Sequence, residues 1–267
     1  MDQIRRAFVD LVATGDGSLV GDLDYGALLI AAAIDASVDI GAVQNQLDAL
    51  ASSIDATTVA DLALALFGGA GHDPARHFAG NREHYYDQDN SMLHRVLERR
   101  LGIPIALSVL TIEVGRRLDI SLHGVGMPGH FLVGSADGFI DTFNAGVLLD
   151  EAGCAQVFQR LAGQGALLPE GSLAPTPHAV ILKRMLSNLA AIGADQQERR
   201  TLRAARSLLA AFPDATHREH VQHAYAAAEI GQLHEAAAAA ESALVTIPEQ
   251  LQAKLQTQID QWRARLN

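Results

Sequence analysis

The stretch from Pro104 to Asp141 constrains the fold most, because its apolar pattern changes there from a helical period to that of short strands. The helix predicted to begin at Pro104 is apolar around almost its whole circumference, as is typical of a buried helix. Three short runs follow it, SLHGVGM, HFLVGS and GFIDTF, separated by a Pro-Gly and an Asp-Gly pair. An Asp-Gly pair between apolar runs is a strong hairpin signal. The stretch therefore predicts a buried helix beside a small antiparallel sheet.

The rest of the chain is predicted to be largely helical. Residues 1–67 carry apolar side chains at helical spacing, and residues 178–267 form an alanine-rich helical region. Residues 68–90 are rich in Gly, Asp, Asn and His and predict a long polar surface loop, while the run GQGALLPEGSLAPTPH predicts a domain boundary. We therefore predict a mostly helical α+β protein with an N-terminal helical region (1–67), a core that contains the sheet (68–165) and an all-α region (178–267).

Composition narrows the classes of partner and location. The formal net charge of −11 argues against nucleic acid as the main partner, since phosphate binding depends on clustered Lys and Arg. No apolar run reaches the roughly 18–20 residues of a membrane-spanning helix, and the N-terminus lacks the layout of a secretory signal. We therefore expect a cytoplasmic protein without a membrane partner. The single cysteine, Cys154, excludes an internal disulfide and a cysteine-based zinc cluster.

The predicted hairpin brings one histidine and one aspartate together. His130 begins the second strand and Asp141 ends the third, so we expect a hydrogen bond of roughly 2.6–3.2 Å between their side chains. Imidazole–carboxylate pairs of this kind serve many hydrolytic sites. The same residues also allow a satisfied polar pair without chemistry, and Asp141 and Asn144 allow simple turn-forming roles. The pattern leaves these alternatives open.

Four histidines in or just after the polar loop raise a metal hypothesis. They are His72, His77, His84 and His94. Their spacings of five, seven and ten residues match no local ligand motif. We therefore predict neither a metal nor another cofactor, and a metal-dependent activity of this loop is the weakest of the functional hypotheses.

The C-terminal region resembles a tetratricopeptide repeat over HREHVQHAYAAAEIGQLHEAAAAAESALVTIP. If Pro248 takes the closing proline position, Ala224, Ala236 and Ala243 fall on small-residue positions, and Gly231 falls in the turn between two helices. This resemblance predicts antiparallel helix pairs in the all-α region.

Three further blocks point to a family. NSMLHRVLERRLGIPIALSVL, GVGMPGHFLVG and FIDTFNAG together resemble the bacterial SirB-type transglutaminase-like proteins, which join a transglutaminase-like domain to C-terminal tetratricopeptide helices. The resemblance extends from about Ala27 to the end of the sequence. Two positions depart from the family pattern: Thr142 stands where a proline is usual, and Ala145 stands where a second glycine is expected.

The resemblance implies a papain-like site in which a cysteine at a helix N-terminus is activated by a histidine that an aspartate orients. His130 and Asp141 then hold the base and orienter positions. The nucleophile position falls at or next to Pro104, which has no nucleophilic atom, and Cys154 lies on another predicted helix as a small buried residue. Ser108, one turn along from Pro104, offers a hydroxyl or serves only as a packing residue.

Two functions follow as hypotheses. The first is a binding or regulatory protein on a degenerate transglutaminase-like scaffold, with a protein or peptide partner held in a cleft beside Pro104 and Asn144 and on the C-terminal helices. The alternative is a hydrolase or acyl transferase that uses Ser108 or an activated water, with His130 as general base and Asp141 as its orienter.

Overall fold

The computed structural model describes residues 2–14, 16–19, 22–71 and 73–266. Within these ranges the chain forms twelve α-helices and seven short strands, which confirms the predicted α+β, mostly helical class. The helices are α1 (Asp2–Leu11), α2 (Leu23–Ile34), α3 (Ile40–Ser52), α4 (Val59–Phe67), α5 (Leu93–Arg99), α6 (Pro104–Arg117), α7 (Glu151–Ala162), α8 (His178–Asp195), α9 (Arg199–Leu209), α10 (His217–Ala228), α11 (Leu233–Leu244) and α12 (Glu249–Ala264). The strands are β1 (Ala79–Gly80), β2 (Leu101–Gly102), β3 (His123–Val125), β4 (Leu132–Ser135), β5 (Gly138–Asp141), β6 (Val147–Leu149) and β7 (Pro175–Thr176).

These elements group into two compact units. One unit contains residues 21–185 and therefore the whole sheet, and the other contains residues 1–20 together with 186–267. The three predicted domain ranges, 1–67, 68–165 and 178–267, stay a prediction, because spatial compactness does not test where evolutionary domains begin and end. No helix in the described part of the chain combines the length and the hydropathy needed to cross a bilayer.

Helix α6 is the buried centre of the unit that holds the sheet. Every residue from Pro104 to Gly115 is buried, as the apolar pattern predicts. The helix packs against α2, α3 and α5 and against strands β3 and β4. Pro104 lies in its first turn, where a missing backbone N–H removes no helical hydrogen bond. Neighbours from both earlier and later parts of the chain thus fix the position of the α6 N-terminus.

The main sheet has the order β6-β5-β4-β3-β7, with every neighbouring pair antiparallel. Ser135 pairs with Gly138, so a two-residue connection joins β4 to β5 and confirms the predicted hairpin. The φ angle of Gly138 is 131°, a conformation that a side chain disfavours. One detail of the prediction is wrong: β4 begins at Leu132, and His130 lies in the preceding turn, where its N–H donates to the carbonyl of Met127 over 3.0 Å.

The polar segment 68–90 is more ordered than a long surface loop. Strand β1 pairs with β2 in parallel, and a short 3₁₀ helix spans Gln88–Ser91. Asn81 and Asn90 are buried, and the Nδ2 of Asn81 donates to the Oδ1 of Asn90 over 3.0 Å. The side chain of Asn90 also donates to the carbonyl of His84 over 2.7 Å. The side-chain amides of Asn81 and Asn90 thus hydrogen-bond the backbone of the turn between them and hold residues 82–86 in place. The composition of the segment alone does not indicate this order.

A buried ionic cluster joins three helices of the same unit. The guanidinium of Arg117 on α6 contacts Asp24 on α2 over 2.7 Å, Asp48 on α3 over 2.7 Å and Glu113 on α6 over 3.0 Å. Asp24 and Glu113 are almost completely buried, whereas Asp48 is exposed. The cluster therefore ties α2 and α3 to the helix that reaches the sheet.

The C-terminal helices form an all-helical region around small side chains. Helices α10, α11 and α12 pack consecutively, and their shared core is largely alanine, with Ile259 and Trp262 contributed by α12. Thr216 and Glu219 form a reciprocal capping box at the start of α10. Gly231, with φ of 78°, turns the chain between α10 and α11. The predicted antiparallel helix pairing of this region is consistent with that turn.

Candidate functional site

The β4–β5 hairpin brings His130 and Asp141 into direct contact. The Nε2 of His130 lies 2.9 Å from the Oδ1 of Asp141, which confirms the predicted hydrogen bond. Their side chains are only 7% and 2% exposed, so little solvent competes for the contact. His130 lies two residues before β4 and Asp141 ends β5, which explains how a separation of eleven residues yields one buried pair.

Asp141 is held by more than the histidine. Its Oδ1 accepts from the backbone N–H of Asn144 over 3.2 Å, and its Oδ2 accepts from the Nδ2 of Asn144 over 2.6 Å. Burial by itself raises the pKa of Asp141, but the hydrogen bonds and charge of His130 and the hydrogen bonds of Asn144 outweigh it, so this pKa lies below its ordinary value. Asp141 is therefore ionised at neutral pH and serves both as turn residue and as partner of His130.

The hydrogen bonds continue from Asn144 to an arginine. The Nη2 of Arg82 donates to the Oδ1 of Asn144, and the guanidinium lies 5.1 Å from the centroid of the Phe143 ring. His130, Asp141, Asn144 and Arg82 thus form one continuous hydrogen-bonded row, which we call the polar row. Arg82 is not predicted from the sequence, because nothing within the polar segment distinguishes it from its neighbours.

The polar row borders a cavity of about 710 Å³. This volume lies in the range of sites that take a small molecule or a few side chains. Four predicted site residues line it, namely His130, Asp141, Asn144 and Pro104, together with a second arginine, Arg160. The rest of the lining is mostly apolar: Tyr85, Tyr86, Gly129, Phe143, Val147, Leu149, Val157 and Leu161.

The contact with Asp141 uses the Nε2 of His130 and leaves its second ring nitrogen, Nδ1, for another partner. With Asp141 ionised, the Nε2 of His130 acts as the donor of their hydrogen bond, and a neutral ring then carries its lone pair on Nδ1. No protein hydrogen bond to Nδ1 occurs among the described residues. Because His130 lines the cavity, its ring combines the orientation of a general base with access to that space.

Pro104 stands at the cavity where α6 begins, and it supplies neither a nucleophilic atom nor an N–H. The structure does not bring Ser108 to the same place. Ser108 is completely buried outside the cavity lining, and its Oγ lies 3.2 Å from the Oγ1 of Thr142. The hydroxyl of Thr142, at the position where the resemblance predicts a proline, in turn lies 3.4 Å from the carbonyl oxygen of Pro104. Both hydroxyls therefore connect α6 to the residues after β5.

Cys154 is part of the core, as predicted. It is completely buried in an apolar cluster with Val125, Met127 and Leu132. Burial, with the negative charges of nearby carboxylates, raises the pKa of its thiol to about 11. A thiol in this environment stays protonated at neutral pH and is a poor nucleophile.

The histidines of the polar segment do not converge. His72 lies outside the described residues. The Nδ1 of His77 accepts the backbone N–H of Asp73 over 2.9 Å, and His94 lies 4.0 Å from Asp35. Across residues 2–14, 16–19, 22–71 and 73–266, no group of three or more His, Cys, Asp or Glu side chains is arranged to hold a metal ion. The metal hypothesis gains no support from this geometry, and the absence of a cofactor stays a prediction.

Comparison with known proteins places this arrangement in a family. The model of the transglutaminase-like superfamily matches residues 40–187, which include α6, the hairpin and the polar row. A UPF0162 protein of Xylella fastidiosa (strain 9a5c) is 38% identical over 175 residues, which cover 61% of this chain and 60% of the relative. A UPF0162 protein of Pseudomonas aeruginosa is 37% identical over 102 residues, covering 38% of this chain and 37% of the relative.

A eukaryotic protein also shares part of this sequence. F-box only protein 21 of Mus musculus is 33% identical over 153 residues, which are 51% of this chain and 23% of that protein. The matched parts thus span less than two thirds of the length of these relatives, and no solved structure matches the chain. Because the family model covers more than half of the 267 residues, this chain belongs to the transglutaminase-like superfamily.

Proposed function

We propose that this protein is a non-catalytic member of its superfamily that binds a peptide or protein segment in the cavity. The observation that carries the proposal is Pro104, which occupies the start of α6 at the cavity where the resemblance predicts a nucleophilic cysteine. Thiol chemistry needs an ionisable sulfur at that point, and the only thiol, Cys154, is buried with a raised pKa. The base His130 and its orienter Asp141 have no thiol at Pro104 to activate, and this supports binding of a ligand over acyl transfer to the protein.

The finer assignment, a SirB-type protein with C-terminal tetratricopeptide helices, belongs to the same proposal. Its support is the alanine-rich packing of α10–α12 and the turn at Gly231. We assign these helices an additional surface for the same protein partner. The net charge of −11 supports a protein partner over nucleic acid, and we expect a cytoplasmic location.

One observation favours a second candidate, a hydrolase or acyl transferase without a cysteine. The Nδ1 of His130 has no protein partner among the described residues, and its ring lines the cavity beside an ionised Asp141. A water or substrate hydroxyl in the cavity would meet an oriented base there.

Selection of peptides from a random heptapeptide phage library against the intact protein tests the proposed function. Leu161 lines the cavity and is 54% exposed, so Leu161→Trp fills the cavity entrance without removing a core side chain. We expect selected peptides to lose affinity for Leu161→Trp. The matched control is Leu64→Trp on α4, at a 61% exposed position that does not line the cavity, and it should bind them unchanged. Failure to select any peptide that Leu161→Trp weakens would refute the proposal.

A further inference from the structure

Two arginines at the cavity lack acidic partners among the described residues, whereas four other arginines of the same unit have them. Arg95, Arg99, Arg116 and Arg117 in the same unit each contact at least one carboxylate. Arg82 contacts Asn144 and the ring of Phe143, and among the described residues neither Arg82 nor Arg160 forms an ion pair with an acidic side chain. In a chain with 31 acidic residues against 20 Lys and Arg, two guanidinium groups beside one cavity that meet no carboxylate among the described residues are a distinct electrostatic feature.

The guanidinium of Arg82 is fixed before any ligand arrives. The guanidinium lies over the Phe143 ring, and that ring packs edge-on against Tyr85 with ring centroids 5.8 Å apart. On another side the ring lies against Gly80, where an added Cβ would be only 2.4 Å from it. Asn144, which accepts from Arg82, is itself tied to Asp141. A side chain held in this way loses little conformational freedom when it binds an anion.

The remaining lining favours a large apolar group. Tyr86, Val147 and Leu161 are 69%, 49% and 54% exposed, although all three are large apolar or aromatic side chains. Such exposed apolar residues, gathered at one concave site and accompanied by charged side chains, are typical of an interaction surface. Both arginines are exposed as well, so their guanidinium groups are open to charged groups of a ligand that enters the cavity.

We propose that the cavity takes a peptide segment in which a large apolar side chain is flanked by acidic residues whose carboxylates pair with Arg82 and Arg160. This inference rests on the proposed function and specifies its ligand. A guanidinium binds a carboxylate through paired N–H groups, which adds geometry to charge.

The test uses the peptides selected from the heptapeptide library, both their composition and their response to charge reversal. We expect enrichment of Asp or Glu next to Phe, Leu or Trp. Synthetic copies of these peptides should lose at least about tenfold in affinity with Arg82→Glu and with Arg160→Glu, and should bind more weakly as salt increases. Arg160→Glu removes no hydrogen bond or ion pair with another described residue, and a urea transition of the variant checks that its fold is kept. Arg160→Lys should retain most of the affinity.

Arg200→Glu is the matched control, because Arg200 is exposed and does not line the cavity. It should leave the affinity unchanged. Selected peptides without acidic enrichment, or equal binding by the Arg160→Glu and Arg200→Glu variants, would overturn this inference. If those same peptides still lose affinity for the Leu161→Trp variant, peptide binding in the cavity remains supported and only the inference about acidic residues is refuted. A library that yields no peptide with weaker binding to the Leu161→Trp variant would refute both the proposed function and this inference.

Discussion

Replacing Arg117 with methionine tests the ionic cluster that holds α6 in place. The side chain of Arg117 is 11% exposed and contacts three carboxylates, of which Asp24 and Glu113 are 0% and 1% exposed. Asp48 is 63% exposed, so its contact contributes little. Glu113 keeps Arg116 at 2.9 Å in the variant, whereas the partner that Asp24 keeps among the described residues is the backbone N–H of Tyr25 at 2.7 Å.

The expected loss of stability in Arg117→Met follows from these contacts. Removing one partner of a buried ion pair costs about 3–5 kcal/mol, because the remaining charge stays buried without compensation. We expect Arg117→Met to lower the free energy of unfolding by about this amount, measured from urea transitions by far-UV circular dichroism at pH 7. The matched control is Arg116→Met. Arg116 is 44% exposed, and its replacement leaves Glu113 paired with Arg117. Arg116→Met should therefore lower the free energy of unfolding by less than about 1 kcal/mol.

Two additional measurements sharpen the result. Adding Asp24→Asn to Arg117→Met should recover part of the stability, because the uncompensated charge is removed. Burial already raises the pKa of Glu113 in the natural protein, and the loss of Arg117 raises it further. A carboxyl whose pKa is raised by folding stabilises the protein below its unfolded pKa and loses this contribution as pH rises, so the variant's deficit should be smaller at pH 4 than at pH 7. Equal losses for Arg116→Met and Arg117→Met, or a deficit that grows at low pH, would refute the reasoning.

In a Cys154→Ala background, the new thiol of Pro104→Cys should alkylate with an apparent pKa of about 8.5, unaffected by His130→Ala, as expected for a site adapted to binding. A strongly depressed, His130-dependent thiol pKa, read from alkylation rate against pH, would favour the hydrolase or acyl-transferase candidate. The natural thiol of Cys154, with its pKa raised to about 11, should resist iodoacetamide at pH 7 until the protein unfolds, and rapid labelling of the native protein would contradict its placement. Because the folded pKa of Asp141 is lowered, its ionised form stabilises the protein above the unfolded pKa and loses this contribution as pH falls. Asp141→Asn should therefore cost stability at pH 7 in urea unfolding, with a gap from the natural protein that narrows below about pH 4; a gap that stays constant down to pH 2 would contradict this.

Local patterns predict the parts of this structure that depend on neighbouring residues. The apolar circumference of α6 and the Asp-Gly turn before β5 are short-range signals, and they suffice to bring His130 to Asp141. The Arg82–Asn144 and Arg117–Asp24 contacts join residues 62 and 93 positions apart, and no spacing rule encodes such pairs. The three residues of β6 are largely exposed, so their strand state depends on pairing with β5 and has no apolar alternation to reveal it.

The burial of α6 also has a consequence for the order in which the chain acquires structure. Its neighbours α2, α3 and α5 precede it in the sequence, whereas β3 and β4 follow it. During synthesis, α6 therefore emerges with earlier helices available to cover part of its apolar surface and with no sheet yet made to cover the rest. The nascent chain carries that uncovered surface until the ribosome has released the hairpin, and apolar surface exposed at this stage invites aggregation or chaperone binding. Acquisition of the cavity is consequently a late event, since its walls depend on residues on both sides of the helix that begins at Pro104.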